Sequence, residues 1–162
     1  MSWVLHRVDD RLIHGQVVVA WGQRLAPRRM WVADDASASS AWEREALVSS
    51  AAGFDVRVVS VDEAAARYAE ERAAEGGAFL IVRDLASAAR LVRAGAPVPA
   101  FTLGGLHYSP GKQKVNEYVY LDDADRAAAR ELLERGVALE VCDVPATRPR
   151  PLAELDPQSL PA

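Results

Sequence analysis

Short apolar runs alternate with longer stretches of helical spacing along most of this chain, and that rhythm constrains the fold more than any other feature. The candidate strands are Trp3 to Val8, Met30 to Ala33, Asp55 to Val59, Ala78 to Val82, Val98 to Leu103, Glu117 to Leu121 and Val137 to Val141. Most are rich in Val, Leu and Ile without polar alternation, the pattern of strands covered on both faces. The segments between them carry helix signals. Val17, Ala20, Trp21 and Leu25 repeat at helical spacing after Gly15. A second helix is expected from about Ser39 to Ala52, with Trp42, Ala46 and Leu47 on its inner side. Ser60 and Glu63 have capping-box spacing, so a third helix starts there and carries Ala64 to Ala74. Asp84 suits the N-cap of a helix bearing Leu85, Ala88, Leu91 and Val92, which Gly95 stops. Asp122 or Asp123 caps the last helix, with Leu132 and Leu133 inward and Gly136 at its end.

Repeated strand–helix units imply a parallel sheet with right-handed crossovers. The expected fold is therefore α/β: one doubly wound, mostly parallel sheet of about seven strands with helices on both faces. The 162 residues fit one domain, 1–162, large enough to bury a core without disulfides. Gly104 to Asn116 breaks the rhythm and reads as a long loop, a feature often functional inside a compact domain. From Pro145 onward the chain is rich in proline, with Pro149, Pro151, Pro157 and Pro161, and is expected to run extended over the surface.

Composition excludes several classes. A formal net charge of −4 does not suit general nucleic-acid binding. No apolar run approaches the roughly 18 residues of a membrane span. The opening MSWVLHRVDD lacks the features of a signal peptide, and Cys142 has no second cysteine to pair with. The cytoplasm is the expected compartment.

Ligands in open parallel sheets bind beyond the carboxyl ends of the strands. The first such end here, Val8, is followed by Asp9, Asp10, Arg11, Leu12, Ile13, His14, Gly15 and Gln16. A helix beginning near Gly15 offers free backbone N–H groups and a positive dipole end, which favour an anion. Arg11 can pair with phosphate in bidentate fashion, and His14 is a nucleophile near neutral pH. A plain alternative is a helix-start histidine beside ordinary turn acids. Neither G-x-x-x-x-G-K-[ST] nor G-x-G-x-x-G occurs, so ATP or dinucleotide binding by those loops is not expected. Three histidines and Cys142 lack zinc-ligand spacing, and no metal or cofactor is expected. Trp3, Trp21, Trp31 and Trp42 fall at core or interface phases of their elements. Arg7 on the first strand is expected in a structural ion pair, and His6 as a packed or rim residue.

The segment RVDDRLIHGQV, residues 7 to 17, closely resembles the active-site segment of the IIB components of the mannose–fructose–sorbose family of the bacterial sugar phosphotransferase system. Trp21 also resembles the family's usual tryptophan, and Met30 to Asp35 its second strand and following acid. Leu103, Gly104, Gly105 and Leu106, then Gly111, Lys112, Gln113, Val115 and Asn116, are similar to its Gly-Gly loop. Gly136, Val137, Leu139, Glu140 and Val141 resemble its last strand, so the likeness spans roughly residues 3 to 155. Leu106 stands where the family usually has methionine, a volume-conserving change.

The resemblance implies a phosphotransferase of the protein-N-phosphohistidine–sugar class. His14 then accepts a phosphoryl group from a IIA phosphohistidine and passes it to a sugar bound by membrane IIC/IID components. Arg11 pairs with the phosphoryl oxygens, and Asp9 or Asp10 orients Arg11 or fixes the imidazole tautomer. Of the two acids, Asp10 is grouped with His14 and Arg11 in catalysis. Asp9, Gly15, Gln16, Gly104 and Gly105 support the phosphate, the last two by permitting unusual backbone angles. His107 and Arg83 lie beside the expected site, His107 as an exposed residue or as a contact behind it. The implied place is the cytoplasm, peripherally at the membrane transporter. A homo-oligomer through exposed aromatics such as Trp31 or Tyr108 is a further expectation. A regulatory module that binds another protein according to its phosphorylation state, without sugar transfer, is the competing reading.

Overall fold

The alternation resolves into a parallel sheet whose order the sequence alone does not state. A computed structural model describes residues 2–162. Strands β1 (Trp3–Val8), β2 (Arg29–Ala33), β3 (Asp55–Val59), β4 (Ala78–Val82), β5 (Ala100–Leu103) and β8 (Ala138–Val141) pair in parallel. A short antiparallel β9 (Arg150–Pro151) closes the edge on β8, giving the order β3-β2-β4-β1-β5-β8-β9. The fold is thus an α/β doubly wound, mostly parallel sheet.

Helices cover both faces, as fully apolar strands require. One face packs on α4 (Val61–Ala73), α5 (Leu85–Arg93) and α6 (Asp123–Glu134). The other packs on a π-helical segment (Gln16–Trp21) that continues into α1 (Gly22–Leu25), and more loosely on α3 (Ala41–Ser50), which follows the single turn α2 (Asp35–Ala38). Local chemistry sets the helix ends. The Ser60 hydroxyl accepts from Glu63 N–H, Asp84 from Ser87 N–H, and Asp122 forms a capping box with Asp125. Gly95 and Gly136 take left-handed angles that stop α5 and α6.

Four expectations need correction. Of Glu117 to Leu121, only β7 (Tyr120–Leu121) is a strand; it pairs with β6 (Gln113–Lys114) in a separate hairpin, outside the main sheet. The helix expected from Ser39 to Ala52 is present as α3, starting after the N-cap Ser40, but its inner side is misassigned. Trp42 is 76% exposed and Ala46 is exposed, while Leu47 is partly buried. The tail does not simply run extended. After β9 it forms α7 (Leu152–Leu155) and a 3-10 turn (Pro157–Ser159). Buried Asp156 there takes a two-pronged ion pair from buried Arg126 of α6, at 2.9 and 3.1 Å. Trp31 is buried and donates to Glu71 Oε2 at 2.9 Å, so it offers no surface to a second copy.

At β1 and β5 the connections part company. The chain leaving Val8 passes to the face of the π-helical segment; the chain leaving Leu103 passes through a long loop toward α6 on the other face. Such a divergence opens a crevice at the carboxyl ends of two neighbouring strands.

Candidate functional site

Asp9 is the first residue beyond β1, and its N–H still continues the sheet by donating to Val82 O at 3.0 Å. That pairing holds its side chain at the floor of the crevice, fully buried. Residues i and i+2 of a strand share a face, so Arg7 lies beside it. The Arg7 guanidinium donates to Asp9 Oδ2 at 3.2 Å and to the carbonyls of Cys142 and Asp143 at 3.1 and 3.0 Å. It also lies over the ring of Trp21, 5.4 Å from the centroid. Arg7 is therefore the structural ion pair that the sequence suggests.

The chain then turns sharply. Leu12 N–H donates to Asp9 O at 2.9 Å, and Leu12 adopts φ +57°, a left-handed conformation rare outside glycine. Burial of Leu12 and Ile13 in the second core offsets that strain and pins the loop. His14 consequently faces back toward Asp9. Its Nε2 lies 3.1 Å from Asp9 Oδ2. Arg11 approaches the other oxygen, donating to Oδ1 from its backbone N–H at 3.1 Å and from Nε at 3.3 Å. Its Nη2 donates to Gln16 Oε1 at 3.3 Å, so Gln16 supports Arg11.

Burial opposes ionisation of Asp9. The hydrogen bond from His14 and the positive charge of Arg7 outweigh burial and hold the carboxyl well below the usual carboxylate range. A carboxylate is acceptor only, so His14 Nε2 carries the proton in this contact.

The Gly-Gly loop completes the site. Gly104 N–H donates to Val8 O at 2.8 Å, and Gly105 N–H donates to Asp9 Oδ2 at 3.2 Å. Neither glycine has a positive φ, which corrects the expectation of unusual backbone angles. Close approach is the reason for both. A Cβ on Gly104 would overlap the Arg7 guanidinium and come within 2.7 Å of Asp9 Oδ2. One on Gly105 would meet His107 Cε1 at 2.7 Å and Arg11 Nη2 at 3.0 Å. Gly15 differs: its φ of −50° is helical and nothing lies within 4 Å of its missing side chain. It keeps the space above the helix start open.

The two acids make different contacts. Asp9, not Asp10, contacts Arg11 and His14. Asp10 turns to the Gly-Gly loop instead, with Oδ2 accepting from His107 N–H and Oδ1 from His107 Nδ1, both at 2.7 Å. Arg83 makes a two-pronged pair with Asp34, at 3.0 and 2.8 Å, and lines one cleft with Arg11 and Leu12, beside the site as expected. His6 packs in the first core, its Nε2 2.8 Å from Tyr68 Oη. Among the described residues no three His, Cys, Asp or Glu side chains are grouped to hold a metal ion. No described helix is long and apolar enough to cross a membrane.

The family model described as the PTS system sorbose subfamily IIB component matches residues 3–158. The sorbose-specific EIIB component of Klebsiella pneumoniae is 32% identical over 142 residues, 87% of each chain. The N-acetylgalactosamine-specific phosphotransferase enzyme IIB component 1 of Escherichia coli strain K12 is 30% identical over 144 residues, 88% of this chain and 90% of that one. The crystal structure of the IIBSor domain of the sorbose permease from Klebsiella pneumoniae aligns with a TM-score of 0.87 at 30% identity, covering 96% of both chains. The chain therefore belongs to the sorbose-subfamily IIB components of the sugar phosphotransferase system.

Proposed function

We propose that His14 is the phosphoacceptor of this IIB component, and that Nδ1 is its reacting nitrogen. In this reading it takes a phosphoryl group from a IIA phosphohistidine and passes it to a sugar held by membrane IIC/IID components, from the cytoplasmic side. Family membership supports the coarser part, a phosphoryl-transfer role in sugar uptake. One observation carries the finer part: His14 Nε2 is tied to a buried, ionised Asp9, so in the neutral ring the lone pair sits on Nδ1.

The chemistry follows from that tautomer. The Nδ1 lone pair attacks phosphorus as the donor's N–P bond breaks, and the donor imidazole leaves with that bonding pair. Positive charge grows on the His14 ring, and the Asp9 carboxylate facing Nε2–H stabilises it. Arg11 is half-exposed and shares its donors between Asp9 and Gln16. It can turn its planar fork to the phosphoryl oxygens in transit. Phosphoryl transfer of this kind is mostly positioning and charge stabilisation.

The test is intact-mass analysis after incubation with phosphoenolpyruvate, enzyme I, HPr and a matching IIA. One phosphate, labile in acid and stable in base, is expected on the native chain and absent from His14→Ala. Equal labelling of that variant would remove His14 from the role. Arg11→Lys is expected to accept phosphate about tenfold more slowly, because lysine lacks the two-pronged contact. A rate equal to the native one would place Arg11 outside the transfer step.

A further inference from the structure

The phosphoacceptor reading uses His14, Arg11 and Asp9 and leaves the second histidine of the crevice without a task. His107 is gripped on one side only. Asp10 N–H donates to Gly105 O at 2.9 Å, while both oxygens of its carboxylate accept from His107. The ring is therefore held through Nδ1, and Nε2 lies on its far edge, on a side chain that is half-exposed.

The ring borders the site through Cε1, the carbon next to Nε2. The space where Gly105 lacks a side chain is bordered by His107 Cε1 and by Arg11 Nη2. The N–H of the same glycine ends on Asp9 Oδ2, the oxygen that also accepts from His14. Arg11 and His107 thus border one glycine, and His14 shares the Asp9 Oδ2 acceptor with its N–H. The electrostatics point the same way. Two carboxylates stand beside a position that must receive a phosphoryl dianion. Arg7 neutralises Asp9 from below. His107 is the group on Asp10, and without it that carboxylate would repel the incoming phosphate.

Resting on the phosphoacceptor reading, we propose that His107 is a second catalytic residue of this site, hydrogen-bonding a phosphoryl oxygen through Nε2 during transfer to His14. It neither accepts nor releases the group. With Nδ1–H on Asp10, Nε2 donates in the doubly protonated ring, the extra proton coming from solvent at this half-exposed side chain and returning there afterwards, while the N–P bond still breaks on the IIA histidine and forms on His14.

The two ring nitrogens can be tested separately. Asparagine places its amide nitrogen near imidazole Nδ1, so His107→Asn keeps a donor for Asp10 but loses the reach to phosphate. Glutamine places its amide nitrogen near Nε2, so His107→Gln keeps a donor for phosphate. The measurement is the single-turnover rate of loading by a phosphorylated sorbose-subfamily IIA, as a function of IIA concentration. For His107→Ala and His107→Asn the saturating rate should fall about tenfold, the loss of one hydrogen bond to a charged group. His107→Gln should keep most of the native rate, and the half-saturating concentration should stay constant throughout.

The opposite order, with Asn native-like and Gln slow, would make His107 a loop clamp and overturn the proposal. Native rates in all three variants would overturn it too, as would a rise in half-saturating concentration alone, which marks a docking contact. All three results leave His14 as phosphoacceptor. Failure of the same IIA to load the native chain removes that reading, and this inference falls with it.

Discussion

The Asp9 carboxylate receives hydrogen bonds from Arg7, Arg11, His14 and Gly105, and its partner Arg7 has no exposed surface. Removing the charge strands a buried cation, which costs far more than losing an exposed pair. Asp9→Asn is expected to destabilise the chain by about 3 kcal/mol. Asp10→Asn, at a partly exposed carboxylate, should cost less than about 1 kcal/mol. Urea unfolding of both variants at neutral pH decides the matter; equal losses would show that Asp9 is not the hub of the crevice. Sequence reading singles out this eight-residue segment but not the division of contacts within it. Adjacent acids in a turn have the same composition signal, and only the direction of each side chain separates them. One cue was present: Arg7 and Asp9 are two apart at the end of a strand, so they share a face, and a buried cation there needs an anion. Asp10, one residue on, points elsewhere by the same rule.

Among the elements, the Gly-Gly loop shows most clearly what a pattern conceals. Two adjacent glycines suggest backbone freedom, yet neither takes a positive φ, and both are small because side chains pass beside them. Gly104→Ala would drive a methyl group into the guanidinium of a fully buried Arg7 and toward Asp9. The arginine is fixed by two carbonyls and a carboxylate and has nowhere to move. A loss of about 3 kcal/mol is expected. Gly15→Ala serves as the contrast, since its backbone is helical and its surroundings are open. It should be neutral or stabilising by roughly 0.5–1 kcal/mol. Thermal unfolding of the pair checks both; a harmless Gly104→Ala would mean that the loop adapts freely. The inner side assigned to the helix near Trp42 failed for a different reason. Its sequence AWEREALVSS has no single apolar face, so burial could not be read from phase, and only Leu47 is both apolar and partly buried there.

Across the whole molecule the strand–helix rhythm was legible because it is local, whereas the docked tail was not. Arg126 and Asp156 lie 30 residues apart and meet only once α6 and the final turn are in place. Global packing also creates a pH dependence at His6. Burial among Trp3, Tyr68 and Phe101 pushes its pKa down to about 4 from 6.5. Between those values the unfolded chain binds a proton at this position and the folded chain does not. Stability therefore rises with pH across that window, and it is lost as pH falls from about 6.5 toward about 4. The full span corresponds to about 3 kcal/mol, of which about 2 kcal/mol disappears between neutral pH and about pH 5. Asp9 adds a loss of the same sign at lower pH, because a carboxyl held below its ordinary range must be protonated as the fold gives way. His6→Gln separates the two contributions. Its amide nitrogen can replace Nε2 toward the Tyr68 hydroxyl, but it has no proton to gain. Unfolding free energies from urea titrations at neutral pH and at about pH 5 should agree for the variant and differ for the native chain by about 2 kcal/mol. Parallel stability profiles for the two proteins would show that the buried imidazole does not set the acid limit of this fold.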